Sequence, residues 1–226
     1  MYMWAIAGLR LRPFPEPAVL LTVMAATAII TQKPSAALSG FSSTTAWLVF
    51  AAFLVGQCFT DTGLGKRIAY VLIGKMGRTT LGLGYVAAIT DMVISPATPS
   101  NTARTGGLVF PIFQSVALTL DSHPGPSARR IGAFLMLLLY QISLVTSAMF
   151  ITASSIHALA LTFAKNILKV EISWMQWAMG MVQPGLIMIV IVPWIVYKLF
   201  PPELKVIDNK TIAQQGLSAL GPMTAR

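Results

Sequence analysis

Three consecutive polar residues, Ser100, Asn101 and Thr102, are the side chains best suited to bind a small ligand. Their hydroxyl and amide oxygens are ligands that a hard cation accepts. Two prolines, Pro96 and Pro99, precede them and stop a helix that reaches this point. A helix that begins again at the polar residues would point free N–H groups and the positive end of its dipole at a bound carboxylate. The spacing therefore favours a site for a carboxylate and a cation.

The same three residues have a simpler explanation, because Ser, Asn and Thr are ordinary residues at the start of a helix. The flanking apolar segments favour the functional interpretation. Residues 81–95 and 108–120 are each about 13 to 15 residues long, whereas a helix needs roughly 20 residues to cross a membrane. Two short arms around a polar tip predict a re-entrant hairpin over residues 81–120, whose broken backbone a membrane protein tolerates only where it lines a cavity or is buried.

Two charged residues, Asp91 and Arg104, lie on the two arms of the predicted hairpin. A charge inside an apolar segment is costly unless it is paired, so we expect these side chains to contact each other. Arg104 is then either a structural partner or an attractor of substrate, and both roles stay open, whereas Asp91 is better explained as structural. His157 could titrate or touch a substrate, although a lone histidine in a helix is more often a packing residue.

The composition is that of an integral membrane protein. Hydrophobic residues make up 55% of the 226 residues and charged residues 10%, and the mean hydropathy is +0.73. A soluble chain could not carry these values without large exposed apolar patches. The formal charge of +9 does not indicate nucleic-acid binding, because Lys and Arg occur in small groups between apolar segments. The single cysteine, Cys58, excludes an internal disulfide and a multi-cysteine metal site.

The apolar segments predict an all-α membrane domain over residues 1–200. Predicted spans cover residues 18–32, 42–60 and 174–200, and aromatic residues near the ends of the last one form an interfacial belt. Residues 131–164 contain no Asp, Glu, Lys or Arg, and small and hydroxyl residues fill their middle. Because this run is too long for one untilted span, we predict a single transmembrane helix that is interrupted there.

Two other segments are less apolar. In residues 61–80 charged residues are spaced among apolar ones at helical spacing, which predicts an amphipathic helix on the membrane surface. Residues 201–226 are polar and show no periodic apolar face, so we expect a tail or linker.

Lys and Arg are distributed unevenly between the two sides of the predicted domain. With the N-terminus inside, twelve lie on the inner side, and three, Lys33, Lys165 and Lys169, on the outer side. Positive residues concentrate on the cytoplasmic side, so both termini are predicted to be cytoplasmic. This arrangement has the hairpin enter from the inner face and return to it. The charge count alone does not exclude two arms that each cross the membrane. The short apolar length of each arm favours the re-entrant hairpin.

Residues 95–104, with the sequence SPATPSNTAR, resemble the signature of the divalent anion:sodium symporter family, particularly its citrate and 2-oxoglutarate/malate translocator branch. Further similarity lies, in chain order, in residues 40–43, 62–69, 144–153, 171–174 and 197–203.

The resemblance implies a secondary carrier of di- and tricarboxylates such as 2-oxoglutarate, malate, citrate and succinate, and not an enzyme. It implies a repeat unit of an inverted-repeat fold in which each half supplies one hairpin tip and one interrupted helix. The family's tips also bind Na⁺ in sodium-coupled members, so Na⁺ is a possible coupling ion and no other cofactor is expected. Carried over, the substrate-binding residues are Ser100, Asn101, Thr102, Thr152, Ala153 and Ser154, and the ion-binding candidates are Ser100 and Asn101. The resemblance also implies that the break at residues 152–155 faces the tip.

The resemblance also implies a bacterial inner membrane or a plastid inner envelope, and a homodimer at full length. Two positions depart from the family pattern. Pro96 stands where sodium-coupled relatives often carry a hydroxyl, which favours exchange of dicarboxylates. Ile156 and His157 stand where the family usually has a small residue or Asn, which changes the expected geometry of the site.

Only one Ser-Asn-Thr tip occurs, and no second hairpin follows Phe200. The chain therefore resembles most of the first half of a carrier about twice as long. Our leading hypothesis is a carboxylate transporter that needs a second half or a partner chain. A non-transporting fragment or membrane scaffold is the alternative. A membrane enzyme that uses Asp91 and His157 as an acid/base pair is a third hypothesis, and it requires these two side chains to be close together.

Overall fold

The computed structural model describes residues 2–42 and 44–222. Within these ranges the regular structure is helical, apart from an isolated antiparallel bridge between Thr79 and Val206. The chain divides into two compact units, residues 1–50 and 51–226.

The first unit contains three helices, α1 (Tyr2–Leu11), α2 (Glu16–Thr31) and the short α3 (Pro34–Ala37), and the first part of α4 (Thr44–Asp61). Helices α1 and α2 approach closely, because a Cβ on Gly8 would lie 2.6 Å from Cγ1 of Val19. Helix α2 ends where Gln32 adopts a left-handed conformation with φ of 53°. Helices α2 and α4 lie where spans were predicted over residues 18–32 and 42–60. Their apolar segments, Glu16–Thr31 and Val49–Asp61, are shorter than 18 residues, so their crossing of the membrane stays a prediction.

The second unit contains the end of α4 and eight further helices. Helix α9 lies at its centre and packs against α6, α8 and α11, and its buried face includes Leu135, Leu138 and Ile142. The helices are α5 (Leu64–Met76), α6 (Thr80–Ile94), α7 (Asn101–Arg104), α8 (Phe110–Thr119), α9 (Gly132–Met149), α10 (Ser155–Phe163), α11 (Trp174–Leu199) and α12 (Asn209–Ala219).

Three helical segments of the described residues are long and apolar enough to cross a membrane: Thr80–Ala97, Gly132–Met149 and Trp174–Leu199. The last one is α11, which agrees with the span predicted over residues 174–200. It begins with a capping box formed by Ser173 and Gln176 and continues through Pro184 and Pro193.

The first arm of the hairpin is longer than the sequence predicted. Helix α6 continues as a 3₁₀ turn, Ser95–Ala97, so the arm reaches 18 residues and the prediction that it is too short to cross is wrong. Pro96 lies in the first turn of this 3₁₀ segment, where a missing N–H costs little, so the helix tightens before it stops. The re-entrant path of residues 81–120 stays a prediction.

Beyond the break the second arm is one continuous helical run. It starts at α7, widens into a π-turn, Thr105–Val109, and ends with α8. Gly106 and Gly107 lie in the π-turn, and a Cβ on either would meet no heavy atom within 4 Å.

The helix predicted over residues 131–164 is interrupted, as the sequence indicated. Helix α9 ends at Met149, and an extended Phe150, a 3₁₀ turn Ile151–Ala153 and an extended Ser154 separate it from α10. We call residues 150–154 the helix break. The small and hydroxyl residues of this stretch are those that tolerate such a change of direction.

The end of the chain differs from the prediction of a polar tail or linker over residues 201–226. Within its described part, α12 packs against α5, and Ile212 and Ala213 are buried. Nδ2 of Asn209 donates to the carbonyl oxygens of Ile73 and Gly74 over 2.9 and 2.8 Å. Both carbonyl groups lie in the last turn of α5, where the one of Ile73 also accepts the N–H of Gly77 over 2.8 Å.

Helix α5 is amphipathic, as predicted for residues 61–80. Its buried residues, Gly65, Ala69 and Ile73, repeat every four positions and form one face. That face packs against α6 and α12. The predicted location of this segment on the membrane surface stays a prediction.

Candidate functional site

The predicted ligand-binding residues lie where the second arm of the hairpin begins. We call residues 98–102 the tip. They comprise the link between the 3₁₀ turn and α7 and the first two residues of α7. Ser100 is extended and its Oγ accepts a hydrogen bond from the N–H of Ala103 over 3.3 Å. The N–H groups of Asn101 and Thr102 have no acceptor within the described residues, as expected for the first turn of a helix. The tip thus presents free donors at the positive end of a helix dipole.

The tip and the helix break are joined through the main chain. The N–H of Ser155 donates to the carbonyl oxygen of Pro99 over 2.9 Å. Ser155 is the first residue of α10, so its N–H has no partner within its own helix. Pro99 lies in the tip, between the 3₁₀ turn and α7, where its carbonyl oxygen accepts no hydrogen bond from a helix of its own segment. Each discontinuity therefore satisfies a polar group of the other.

A cleft of about 450 Å³ lies between the tip and the start of α10. Its volume is within the usual range for small-molecule sites, about 300 to 1,000 Å³. Two helix N-termini, those of α7 and α10, meet at this cleft. Its lining residues come from the tip, from α9 and from the start of α10: Pro99, Ser100, Asn101, Thr102, Leu144, Ser147, Ala148, Ser154, Ser155, Ile156 and His157.

Four of the six predicted substrate-binding residues line this cleft: Ser100, Asn101, Thr102 and Ser154. The other two, Thr152 and Ala153, lie in the 3₁₀ turn of the helix break and are absent from its lining. Ala153 is fully buried. The cleft wall opposite the tip therefore begins at Ser154 and includes Ser155 and His157. Contact of the six predicted residues with a substrate stays a prediction.

Asp91 and Arg104 form a fully buried ion pair. Nε of Arg104 lies 3.1 Å from Oδ1 of Asp91, and neither side chain has any exposed surface. The hydroxyl group of Thr146 in α9 also donates to the Asp91 carboxylate. Thr105 adds a hydroxyl within 3.2 Å of Oδ1 of Asp91 and 3.3 Å of Oδ1 of Asn101. Through Thr105 the ion pair therefore supports a side chain of the tip.

The remaining N–H groups of Arg104 are directed at the tip, the helix break and α9. All three guanidinium nitrogens are engaged, so the side chain is a junction between these elements, and it does not line the cleft. At distances of 3.1 to 3.5 Å the acceptors are the carbonyl oxygens of Thr98, Ala153 and Ser143 and the hydroxyl oxygens of Thr146 and Ser147.

His157 is fixed in the wall of the cleft by two contacts. Its Nδ1 lies 3.2 Å from the carbonyl oxygen of Phe150. Its ring packs against Trp177 of α11, with 4.8 Å between the ring centroids and an angle of 38° between the planes. Trp177 in turn donates from Nε1 to the carbonyl oxygen of Ala148 over 3.0 Å. Residue type alone does not predict this role, since a single histidine in a helix is usually a packing residue.

The cleft contains no carboxylate and no Lys or Arg among its lining residues. The recorded partners of Asp91 are Arg104, Thr105 and Thr146, whereas those of His157 are Phe150 and Trp177. The two residues proposed as an acid/base pair therefore share no partner. Among residues 2–42 and 44–222, no group of three or more His, Cys, Asp or Glu could hold a metal ion.

The chain matches the family described as sodium:sulfate symporter transmembrane region over residues 1–226. It is 52% identical over 233 residues to the inner membrane protein YbhI of Escherichia coli strain K12, across 100% of this chain and 49% of that protein. It is 43% identical over 191 residues to a citrate/succinate antiporter of the same strain, across 84% and 39%.

A plant protein is also similar. The chloroplastic dicarboxylate transporter 1 of Spinacia oleracea is 37% identical over 227 residues, across 99% of this chain and 40% of that protein. The chain thus spans about half the length, or less, of the curated relatives it matches.

Proposed function

The chain belongs to the sodium:sulfate symporter transmembrane family, and from this premise we propose that it forms one half of the substrate site of a secondary carrier of di- and tricarboxylates. The site is the cleft between the tip and the start of α10. The family is one of symporters, and two of the relatives are named as transporters, one for citrate and succinate and one for dicarboxylates.

The observation that carries the proposal is the meeting of two helix N-termini at one cleft, linked by the hydrogen bond from Ser155 to Pro99. Helix N-termini bind anions through free N–H groups and the helix dipole. In the proposal, the N–H groups and side chains of Asn101 and Thr102 bind one carboxylate group. Ser154, which makes no side-chain cap to its own helix, supplies a hydroxyl from the opposite wall.

We assign Asp91 and Arg104 a structural role in this carrier. Their complete burial and the contacts of Arg104 to three elements support that role over direct attraction of substrate. A coupling cation such as Na⁺ would be held by oxygens of Ser100 and Asn101. Both oxygens already accept one hydrogen bond, and each has lone-pair capacity left. The second wall of the complete site would come from the second half of a longer carrier or from a partner chain, and the complete carrier would be a homodimer in an inner membrane with both termini cytoplasmic.

The proposal is tested in proteoliposomes by exchange of radiolabelled succinate. The chain is assayed alone and as a hybrid carrier in which it is joined to the remaining half of the Escherichia coli relative YbhI. We expect exchange by the hybrid carrier and none by the chain alone. The changes Asn101→Ala and Thr102→Ala should each reduce exchange at least tenfold without loss of membrane insertion. Thr119→Ala, at an exposed threonine of α8 remote in sequence from the tip, is the matched control and should exchange normally.

Unchanged exchange in both tip variants would contradict the proposed site. A correctly inserted hybrid carrier that binds no carboxylate would instead favour the alternative of a non-transporting membrane scaffold.

A further inference from the structure

We propose that His157 is a substrate contact that binds a carboxylate only as an imidazolium, so that each carboxylate bound in the cleft takes up one proton from water. This inference rests on the proposed function of the cleft and adds a specific chemical requirement to it.

The contact to Phe150 fixes which nitrogen of a neutral His157 carries the proton. A carbonyl oxygen can only accept a hydrogen bond, so Nδ1, 3.2 Å from the carbonyl oxygen of Phe150, must be the donor. A neutral imidazole has a single N–H. In the neutral ring, Nε2 is therefore an unprotonated acceptor.

The position of the ring leaves Nε2 as its remaining polar atom. One ring face is covered by Trp177, and Nε2 has no hydrogen-bond partner within the described residues. His157 is half-buried and lines the cleft. A carboxylate oxygen is also an acceptor, so a neutral Nε2 would repel it. A second proton converts Nε2 into a charged donor, which makes a stronger hydrogen bond to a carboxylate than a neutral donor does.

No other side chain of the cleft lining can become a cation. The charged and titratable groups on the elements around the cleft either form ion pairs or lie away from the cleft. On the hairpin, Arg104 is paired with Asp91. Beyond α10, Lys165 pairs with Glu171 over 2.7 Å. Helix α9 has Tyr140 as its titratable residue, which is exposed. Helix α11 has Tyr197 and Lys198 at its opposite end from Trp177. His157 is therefore the side chain of this half-site that can gain a positive charge, by taking up a proton, when a negatively charged ligand binds.

The first test measures succinate binding to the hybrid carrier by calorimetry between about pH 7 and 8.5, well above the range in which carboxyl groups titrate. Succinate is the probe because it has no hydroxyl group that could donate a hydrogen bond to a neutral Nε2. We expect an affinity that falls by up to tenfold per pH unit in the range where an ordinary histidine is neutral. Heats measured in two buffers of different ionisation enthalpy should show uptake approaching one proton per succinate.

Two substitutions separate the proton requirement from packing. His157→Gln supplies a neutral donor and should bind succinate with no pH dependence and no proton uptake. His157→Phe keeps the ring against Trp177 and should bind at least tenfold more weakly at the lowest pH. His123→Gln changes the second histidine of the chain, which lies in an exposed loop, and should leave the pH profile unchanged. Binding by the parent hybrid without proton uptake, or an unchanged pH profile in His157→Gln, would overturn the inference while leaving the proposed function intact.

The second test needs no transport activity. With ¹⁵N-labelled histidine in the detergent-solubilised chain, the His123→Gln variant shows a single histidine signal. At about pH 8 the nitrogen shifts should report a neutral ring protonated on Nδ1, and addition of succinate near pH 7 should increase the doubly protonated fraction. A ring protonated on Nε2 would overturn the inference whether or not the hybrid carrier transports. Failure of the parent hybrid carrier to bind succinate in the first test would contradict the proposed function, and the inference with it.

Discussion

The backbone N–H of Ser155 lies 2.9 Å from the carbonyl oxygen of Pro99, so the first residue of α10 is capped by the tip, which lies about 55 residues earlier in the chain. Backbone groups at helix discontinuities are costly in a membrane unless another group satisfies them. Here two discontinuities meet and satisfy each other, and the cleft forms at their junction.

Replacement of Ser155 by proline should weaken this junction. Proline removes the N–H that bonds to Pro99 but suits the first position of a helix, and the extended Ser154 before it is compatible with a following proline. The lost hydrogen bond should cost about 0.5 to 1.5 kcal/mol and lower succinate affinity of the hybrid carrier several-fold. Ser155→Ala, which keeps the N–H, is the control. Equal affinities in the two variants would show that this hydrogen bond does not shape the site.

Removal of one charge from the buried pair should destabilise the protein strongly. Asp91→Asn leaves the guanidinium group of Arg104 buried without its counter-charge, which costs about 3 to 5 kcal/mol in proteins. The unfolding midpoint of the detergent-solubilised chain is the measurement. Glu171→Gln breaks the exposed pair with Lys165 and should not shift the midpoint measurably. A midpoint of Asp91→Asn equal to that of the parent would contradict a structural role for the pair.

Two glycines of α11 should respond in opposite ways to a side chain. A Cβ on Gly185 would lie 2.3 Å from Cγ of Met149, the last residue of α9, whereas one on Gly180 would meet nothing within 4 Å. Gly185→Leu should overpack this contact and cost about 1 to 3 kcal/mol. Gly180→Ala should stabilise α11 by about 0.5 to 1 kcal/mol because alanine loses less backbone entropy. Unfolding midpoints of the two variants that move in the same direction would refute the proposed close contact.

The side chain of Asn209 should be essential for docking of α12. Asn209→Ala removes the donors to the carbonyl oxygens of Ile73 and Gly74. Ile73 keeps the N–H of Gly77 as a partner, whereas loss of the hydrogen bond to the Gly74 acceptor costs about 1 to 3 kcal/mol. We expect faster amide hydrogen exchange throughout α12. Lys210→Ala, at an exposed neighbouring position, should retain the parent exchange rates.

The start of α12 should also respond to acid. Hydrogen bonds from the Thr211 hydroxyl and N–H groups lower the pKa of Asp208 below its ordinary value. A carboxylate with a lowered pKa stabilises the folded state above its unfolded pKa, about 3.9, and this contribution is lost as the pH falls below that value. Exchange protection in α12, corrected for intrinsic rates, should therefore decrease below about pH 4. In Asp208→Asn this acid-dependent step should be absent.

Much of the chain could be predicted from sequence because its strongest signals are local. The family resemblance carried by residues 95–104 is confirmed by the match over residues 1–226. The break in residues 131–164 was visible because small and hydroxyl residues interrupt a long apolar run. The expected contact between Asp91 and Arg104 is present in the structure, since a membrane segment leaves few other partners for either charge.

The features that sequence missed depend on packing between distant segments. Helix α12 has only a few apolar residues, among them Ile212 and Ala213, and its docking depends on Asn209 meeting carbonyl groups in α5. The first hairpin arm was predicted too short because a proline usually ends an α-helix, whereas Pro96 is accommodated in a 3₁₀ turn. The hydrogen bond from Ser155 to Pro99 could not be predicted from residue type, because the backbone N–H of Ser155, and not its hydroxyl group, makes the contact.

The hydrogen bonds of Arg104 affect how transport would depend on the membrane potential. All three of its nitrogens are engaged by acceptors within the protein, so this half-site offers a dianion no permanent positive charge. Moving two negative charges across a potential of 100 mV changes the free energy by roughly 4 to 5 kcal/mol, at about 2.3 kcal/mol per charge. A carrier built on such a half-site avoids this dependence on membrane voltage only if transport moves no net charge. The dianion must then cross together with mobile cations or in exchange for another anion of equal charge.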